Sequence, residues 1–142
     1  MFDIAIIGAG PAGASAAIFT AKAGKKTVVI DSDKGVTKRA WFENYYGILE
    51  IDGPTLVERG IEQLKKFGAE YVQDEAIGAA AVDGGFEITT AGGGTFRAKH
   101  VILATGFSVD IGQKLGVEIK DGTEPRVKSI YAVDAAGRTN VP

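Results

Sequence analysis

The sequence contains no cysteine, and this absence removes several kinds of chemistry at once. A chain without a thiol can form no internal redox disulfide and has no thiolate nucleophile. His100 is the only histidine, so a structural zinc site is not expected. Because His100 precedes the buried-strand pattern Val101 to Ala104, we interpret it as a strand-edge residue rather than a catalytic base. The sequence therefore predicts no metal site, and no residue stands out as a catalytic acid or base.

An excess of charge of one sign and long apolar runs are also missing. The 142 residues include 16 Lys and Arg against 18 Asp and Glu, and the net charge of −2 argues against a nucleic-acid partner. The apolar N-terminal stretch is interrupted by Asp3, Pro11 and several glycines, which predicts neither a signal peptide nor a membrane span. We expect a single cytoplasmic domain over residues 1–142, large enough to bury a core.

The most informative segment of the chain is its first part. An apolar run, Asp3 to Ile7, is followed by the glycine turn Gly8–Gly13, a small-residue helix over Ala14–Ala23 and a β-branched run, Thr27 to Ile30. Asp31 follows this second run directly. A strand, a glycine-rich turn, a helix and a second strand ending in an acid are the parts of a dinucleotide-binding unit.

Each of these parts has a physical role in such a unit. Gly8 permits the tight turn out of the strand, Gly10 lets a diphosphate approach the backbone, and Gly13 lets the helix pack closely on the sheet. The free amides of the first helical turn and the positive end of the helix dipole bind the diphosphate. The carboxylate of Asp31 accepts hydrogen bonds from ribose hydroxyls. The sequence therefore predicts a site for an adenine dinucleotide.

The glycine turn has two other interpretations. Glycines can serve only to pack a helix on a sheet, but Asp31 would then have no explanation. Gly8 and Gly13 also have the spacing of a mononucleotide P-loop, with Ser15 at the hydroxyl position. The residue before Ser15 is Ala14, so the lysine that reaches the terminal phosphates is absent and this alternative is rejected.

The rest of the chain continues an α/β pattern. Apolar residues at helical spacing predict a helix over Thr55–Phe67, and a short strand is expected over Glu70–Glu75. Glycine-rich turns at 83–85 and 92–94 separate three extended runs, which predict an antiparallel meander: Ile77 to Val82, Phe86 to Thr90 and Thr95 to Ala98. Two further strands are predicted, Val101 to Ala104 and Ile130 to Asp134.

Four segments together resemble a known family. They are the Gly8–Gly13 turn, Glu43–Gly47 (ENYYG), the stretch from Asp52-Gly53-Pro54 to Phe67-Gly68-Ala69-Glu70, and Ile102–Gly106 (ILATG). The chain resembles the flavin domain of the thioredoxin reductase-like flavoproteins, within the FAD-dependent pyridine nucleotide–disulfide oxidoreductases. The resemblance implies an α/β, Rossmann-like three-layer fold, with helices on one face of a parallel sheet and the antiparallel β-meander on the other. It also implies FAD as the cofactor.

The resemblance also implies which residues contact FAD. Asp31 and Ser32 would bind the adenosine ribose, and Ala76, at the end of the third parallel strand, would present its backbone to adenine. Asn44 would lie near the flavin, although its other interpretation is a turn residue before Gly47. The remaining contacts would come from the glycine turn and the Ala-Thr-Gly turn: Gly8, Ala9, Gly10, Pro11, Ala12, Gly13, Ala104, Thr105 and Gly106. For Thr105 a purely local role, satisfying nearby backbone groups, is also open.

The chain departs from the family pattern in ways that affect its expected activity. The nicotinamide-binding domain that the family inserts after the Ala-Thr-Gly turn is missing, as are the redox dithiol and a Gly-Gly-Gln-Leu stretch after Asp33-Lys34-Gly35. We therefore expect an FAD-binding oxidoreductase domain that does not reduce disulfides by itself and draws electrons from a donor protein or a diffusible reductant. The alternatives are an NAD(P)-dependent oxidoreductase and a non-catalytic dinucleotide-binding module.

The end of the sequence carries one more expectation. Thr139–Pro142 resembles the lead-in to the family's second flavin motif, which contains Gly-Asp. In the family a parallel strand follows at this point, near the centre of the sheet. Without that strand, backbone groups and apolar surface would lack partners. We expect a longer native chain to supply the strand; the alternatives are a second subunit of a homodimer that covers the gap, and a loosely ordered segment after Asp110.

Overall fold

The computed structural model describes all 142 residues. They form ten strands and three α-helices, joined by turns and loops. The helices are α1 (Pro11–Lys22), α2 (Gly53–Lys66) and α3 (Asp110–Lys114), with a 3-10 turn at Val36–Arg39. The strands are β1 (Phe2–Ile7), β2 (Thr27–Asp31), β3 (Trp41–Phe42), β4 (Ile51–Asp52), β5 (Glu70–Gln73), β6 (Ala76–Val82), β7 (Gly85–Thr90), β8 (Thr95–Leu103), β9 (Ile119–Asp121) and β10 (Ser129–Tyr131). None of the helices combines the length and the apolar composition that crossing a membrane requires.

Six of the strands form one mixed sheet in the order β5-β2-β1-β8-β7-β6. The first four strands of this order are parallel, and β6, β7 and β8 form the antiparallel meander that the glycine turns predicted. Gly84 and Gly93, at the two turns, have φ angles of 80° and 87°, which glycine adopts without a steric cost.

Apolar side chains alternate between the two faces of the parallel strands and build a core on each. Ile6 and Val29 face the helices and belong to one cluster, which includes Ala17 of α1 and Leu64 of α2. The neighbouring residues on the strands face the other way, and the second cluster contains Ala5, Ile7, Val28, Ile30, Ile88, Ala98 and Ile111. Since Ile88 belongs to β7 and Ile111 to α3, the meander and this short helix pack over the face opposite α1 and α2. The predicted three-layer α/β fold is confirmed.

The last strand of the meander and the returning parallel strand are one element. The sequence pattern predicts two strands, Thr95 to Ala98 and Val101 to Ala104, whereas β8 runs without a break over Thr95–Leu103. β8 changes its pairing partner at Ala98, which pairs with Phe86 of β7 on one side and with Phe2 of β1 on the other. No turn residue stands between the two runs, so the chain remains extended and changes partner.

The C-terminal strand also differs from the prediction. Instead of a strand over Ile130–Asp134, β10 covers Ser129–Tyr131 and pairs antiparallel with β9 in a separate two-stranded ribbon. Asp134 ends the extended conformation, because its carboxylate accepts hydrogen bonds from the amides of Ala136 and Arg138 and closes a turn.

Both long helices begin earlier than their apolar periodicity indicated. α1 starts at Pro11, whose fixed φ suits the first helical position, rather than at Ala14. α2 starts at Gly53, because the Asp52 carboxylate caps the helix by accepting from the Thr55 amide at 3.0 Å and from its hydroxyl at 2.7 Å. Of the two helices, only α1 begins without a side-chain cap, and its first turn follows the end of β1.

Candidate functional site

The segments that carry the predicted site residues meet at one edge of the sheet. The four parallel strands end at this edge, at Ile7, Asp31, Gln73 and Leu103. Gly8 follows β1 and donates its amide hydrogen to Ile30 O at 2.9 Å, while Ala104 follows β8 and donates to Ile7 O at 2.9 Å. The glycine turn, the end of β2 and the Ala-Thr-Gly turn are therefore adjacent, at the position where open α/β sheets bind ligands.

The three glycines of the turn have different surroundings. A Cβ on Gly8, which has a φ of 105°, would lie 2.1 Å from Ala104 O, and one on Gly13 would lie 1.9 Å from Gly8 O. Both positions therefore admit only glycine. A Cβ on Gly10 would meet nothing within 4 Å. The close helix packing predicted for Gly13 is confirmed, and the open space at Gly10 fits a ligand that approaches the backbone there.

The N-terminus of α1 is open in a way that suits an anion. Gly10 is the N-cap residue and has no side chain that bonds to the helix, and the first turn holds no acidic residue. The amide groups of this turn therefore have no side-chain acceptor, and the positive end of the helix dipole is uncompensated. A diphosphate that bound here would accept hydrogen bonds from these amides.

Asp31 is buried and both of its carboxylate oxygens are hydrogen bonded. Only 8% of its surface is exposed. Oδ1 accepts from the Ala9 amide at 3.1 Å, and Oδ2 accepts from the Tyr71 hydroxyl at 2.9 Å. Burial, followed by this hydrogen bond to Asp31, raises the pKa of Tyr71 well above its ordinary value, so the phenol stays protonated and donates.

No pattern in the sequence indicates Tyr71 as a site residue. Tyr71 lies in β5 directly opposite Val29 of β2, two residues before Asp31 on the same face of that strand. Tyr71 reaches Asp31 only because of the register between these two parallel strands, and no local sequence pattern contains that register.

The charged residues beyond Asp31 are arranged in pairs. Lys38 Nζ lies 3.0 Å from both carboxylate oxygens of Asp33, and Lys34 Nζ lies 3.3 Å from Glu75 Oε2. The lysines closest to the end of β2 are therefore matched by acids. Ser32 lies half-buried between Asp31 and Asp33 and forms no side-chain hydrogen bond.

The Ala-Thr-Gly turn is tied to the C-terminal ribbon. The Thr105 hydroxyl donates to Ser108 O and forms a second hydrogen bond with the Tyr131 hydroxyl, at 2.8 Å. The local role that the sequence left open for Thr105 is thus the one its side chain has in this structure. Ala104 and Gly106 would present only backbone and a methyl group to a ligand. Tyr131 was not identified from the sequence.

Ala76 and Asn44 lie differently from the other predicted residues. β5 ends at Gln73, so Ala76 is not at the end of the third parallel strand; it is the first residue of β6 and pairs with Thr90. The expected strand over Glu70–Glu75 was too long, because the Asp74 carboxylate bonds the amide of Glu75 and turns the chain.

Asn44 is exposed, and its side chain forms no hydrogen bond. Its neighbour Tyr45 approaches the glycine turn instead, because Tyr45 and Ile48 line a cleft of about 560 Å³ together with Gly10 and Pro11. The loop that contains Asn44 is therefore near the predicted diphosphate position, although Asn44 itself does not line this cleft.

These features define a class of protein: a Rossmann-like α/β domain with a dinucleotide-type turn at the carboxyl edge of its sheet. The family described as "Pyridine nucleotide-disulphide oxidoreductase" matches residues 2–140. The chain belongs to this family.

Relatives and solved structures are consistent with this membership. The chain is similar to the thioredoxin reductase of Aquifex aeolicus (41% identity over 112 residues, covering 75% of this chain and 34% of that protein). It is also similar to that of Peptoclostridium acidaminophilum (40% over 110 residues, 75% and 35%). Its fold superposes on the atypical thioredoxin reductase TRi from Desulfovibrio vulgaris Hildenborough with a TM-score of 0.70, at 39% identity, covering 88% of this chain and 40% of that one. The chain thus spans about a third of the length of the curated relatives.

Proposed function

We propose that this chain is the FAD-binding domain of a thioredoxin reductase-like oxidoreductase. The observation that carries the proposal is the juxtaposition of an open anion site and a fixed carboxylate. The uncapped N-terminus of α1 has free space at Gly10, and the Asp31 carboxylate is held beside it by the Ala9 amide. A diphosphate and its adjoining ribose would fit these two positions together.

FAD is favoured over NAD by parts of the fold that a plain NAD domain does not need. The meander β6–β8 packs over the second face of the sheet, and β8 delivers the Ala104–Gly106 turn to the carboxyl edge beside Gly8 and Gly13. The resemblance of these parts to the flavin domains of the thioredoxin reductase-like proteins supports the same cofactor.

The residues of this chain would bind and orient the cofactor. The α1 amides would neutralise the diphosphate, Asp31 would accept from the ribose hydroxyls, and the small residues of the Ala104–Gly106 turn would allow close approach from the sheet. When bound, the isoalloxazine ring supplies the hydride or electron transfer. The protein's own contribution would be to bind and orient the cofactor.

The electrons would come from outside this domain. The chain has no cysteine, so it contains no dithiol that could pass electrons from a flavin to a protein disulfide. It also has one dinucleotide-type glycine turn, at Gly8–Gly13. We infer that a donor protein or a diffusible reductant reduces the flavin, and that a homodimer is one arrangement in which the domain would work.

The test is to identify the bound nucleotide. The purified protein, as isolated and after incubation with FAD or with NAD, is passed through a desalting column, its absorption spectrum is recorded and the released nucleotide is identified by mass. We expect a flavin spectrum and FAD. Release of NAD without flavin absorbance would favour an NAD-dependent oxidoreductase, and retention of neither nucleotide would overturn the proposal.

A further inference from the structure

The Asp31 carboxylate has a hydrogen-bond partner, Tyr71, that lies outside both the glycine turn and β2. Tyr71 comes from β5, and its hydroxyl lies 2.9 Å from Asp31 Oδ2. No cation is paired with Asp31, because Lys34 and Lys38 are engaged with Glu75 and Asp33. A buried carboxylate without a cation needs hydrogen-bond donors, and Tyr71 is the only side chain that supplies one.

The Tyr71 ring is held firmly enough to act as a fixed donor. It is half-buried and packs against the helix-side core that contains Val29 and Leu64. The Lys65 ammonium, at the end of α2, lies over the ring, 5.3 Å from its centroid. The ring of Tyr71 thus has contacts from both the sheet side and α2.

The two hydrogen bonds together fix the plane of the carboxylate. With Oδ1 bound to the Ala9 amide and Oδ2 to Tyr71, Asp31 cannot rotate about its terminal bond without losing one of them. Each oxygen keeps one further lone pair. Two hydroxyls on adjacent carbons, as in a ribose diol, would find two acceptors already oriented.

We propose that Tyr71 is a positioning residue that orients the Asp31 carboxylate for a ribose diol and thereby makes the site selective for adenosine nucleotides with a free 2′-hydroxyl. This inference rests on the proposed function, because it assigns the ribose of the bound nucleotide to Asp31. Tyr71 acts through Asp31 and need not contact the nucleotide itself.

The experiment compares ADP with 2′-deoxy-ADP, two probes that differ only in one hydroxyl. We expect the full chain to bind ADP about tenfold more tightly than 2′-deoxy-ADP, the factor of one hydrogen bond worth about 1.4 kcal/mol. Tyr71→Phe, which removes only the donor, is expected to reduce this preference to about twofold. Tyr46→Phe makes the same change at a fully exposed tyrosine and should keep the preference.

A structural role for Tyr71 would give a different result. If Tyr71→Phe lowers Tm but keeps the wild-type preference for ADP, Tyr71 only stabilises the fold and the proposal is wrong. Asp31→Asn provides a second route that does not depend on Tyr71: it should also abolish the preference, and adding Tyr71→Phe to it should have no further effect on the ratio. If the wild-type protein binds FAD but shows no preference for ADP, this inference fails alone; if it binds neither FAD nor ADP, the proposed function fails.

Discussion

Gly13 lies directly against the carbonyl of Gly8: a Cβ at position 13 would be 1.9 Å from Gly8 O. The obstacle is backbone, so it cannot be relieved by a side-chain rotation. We expect Gly13→Ala to separate α1 from β1 and to reduce the free energy of unfolding by about 1–3 kcal/mol. Thermal or urea denaturation, followed by circular dichroism, measures this loss.

Gly10→Ala is the matched substitution in the same turn. A Cβ on Gly10 meets nothing within 4 Å, and its φ of −69° suits alanine. We expect this variant to keep the wild-type Tm and to lose FAD affinity at least about tenfold, because the methyl group occupies the space proposed for the diphosphate. If Gly10→Ala and the wild-type protein bind FAD equally tightly, the cofactor does not pass over Gly10.

Asp31 should select against a 2′-phosphate as well as for a ribose diol. Of the cations that follow Asp31 in the sequence, Lys34 and Lys38 are paired with Glu75 and Asp33, and Arg39 forms no ion pair. We expect Asp31→Ala to weaken FAD binding about ten- to hundredfold, as loss of a charge-assisted hydrogen bond predicts. Titration calorimetry with FAD, NAD and NADP measures the loss of FAD affinity and the selection against the 2′-phosphate. Asp83→Ala, which removes an exposed carboxylate in a turn, is the control. Tighter binding of NADP than of FAD or NAD would contradict this role.

The 142-residue chain should not reduce disulfides with NADPH on its own. Without cysteine it has no dithiol relay, and we find one dinucleotide-type turn. We expect no NADPH consumption above background in a steady-state assay with a small disulfide substrate and added FAD. Robust turnover would require a second nucleotide site and would refute the prediction. Photoreduction of the FAD-loaded protein serves as the control that its flavin is redox active.

The edge of β8 is expected to accept another strand. β7 leaves β8 at Ala98, and no strand pairs with that side of residues 99–103. A cleft of about 500 Å³ adjoins this edge and includes Leu103, Tyr131 and Val141 in its lining. Unpaired strand edges bind further strands, so a β-branched segment and a Gly-Asp motif added after Pro142 should raise Tm and FAD occupancy together.

A Gly-Ser extension of equal length is the control for that experiment and should change neither quantity. If the 142-residue protein is already a stable monomer with full FAD occupancy, and the β-branched extension adds nothing, the edge needs no partner.

The N-cap of α2 should make part of the stability dependent on pH. Hydrogen bonds from the Thr55 hydroxyl and amide lower the pKa of Asp52 below its ordinary 3.8. A group whose pKa is lower in the folded state stabilises the fold above its unfolded pKa and loses that contribution as the pH falls through the folded pKa. Asp52→Ala should therefore lower Tm at pH 7, and the difference from wild type should shrink below about pH 4.

Glu58→Ala removes a carboxylate from the exposed surface of the same helix and controls for the change in net charge. It should leave Tm nearly unchanged at both pH values. A difference between wild type and Asp52→Ala that stayed constant down to about pH 2 would show that the carboxylate is not the stabilising group.

The sequence by itself determined the βαβ unit and where its glycine turn and its acid lie, because those features are local. The spacing of Gly8, Gly10 and Gly13, the β-branched run before Asp31 and the glycine turns of the meander each act over a few residues of chain. Such patterns depend on backbone sterics and on which face of an element is apolar, and both can be derived without knowing the neighbouring strands.

The tertiary structure alone decided which distant residues support that site. Tyr71 reaches Asp31 across a separation of 40 residues because β5 pairs with β2 in one particular register, and Tyr131 reaches Thr105 across 26 because the C-terminal ribbon folds back. The change of pairing partner in β8 at Ala98 likewise depends on strands that are distant in the sequence. Register and strand pairing arise from the packing of whole faces against each other, so no local pattern contains them.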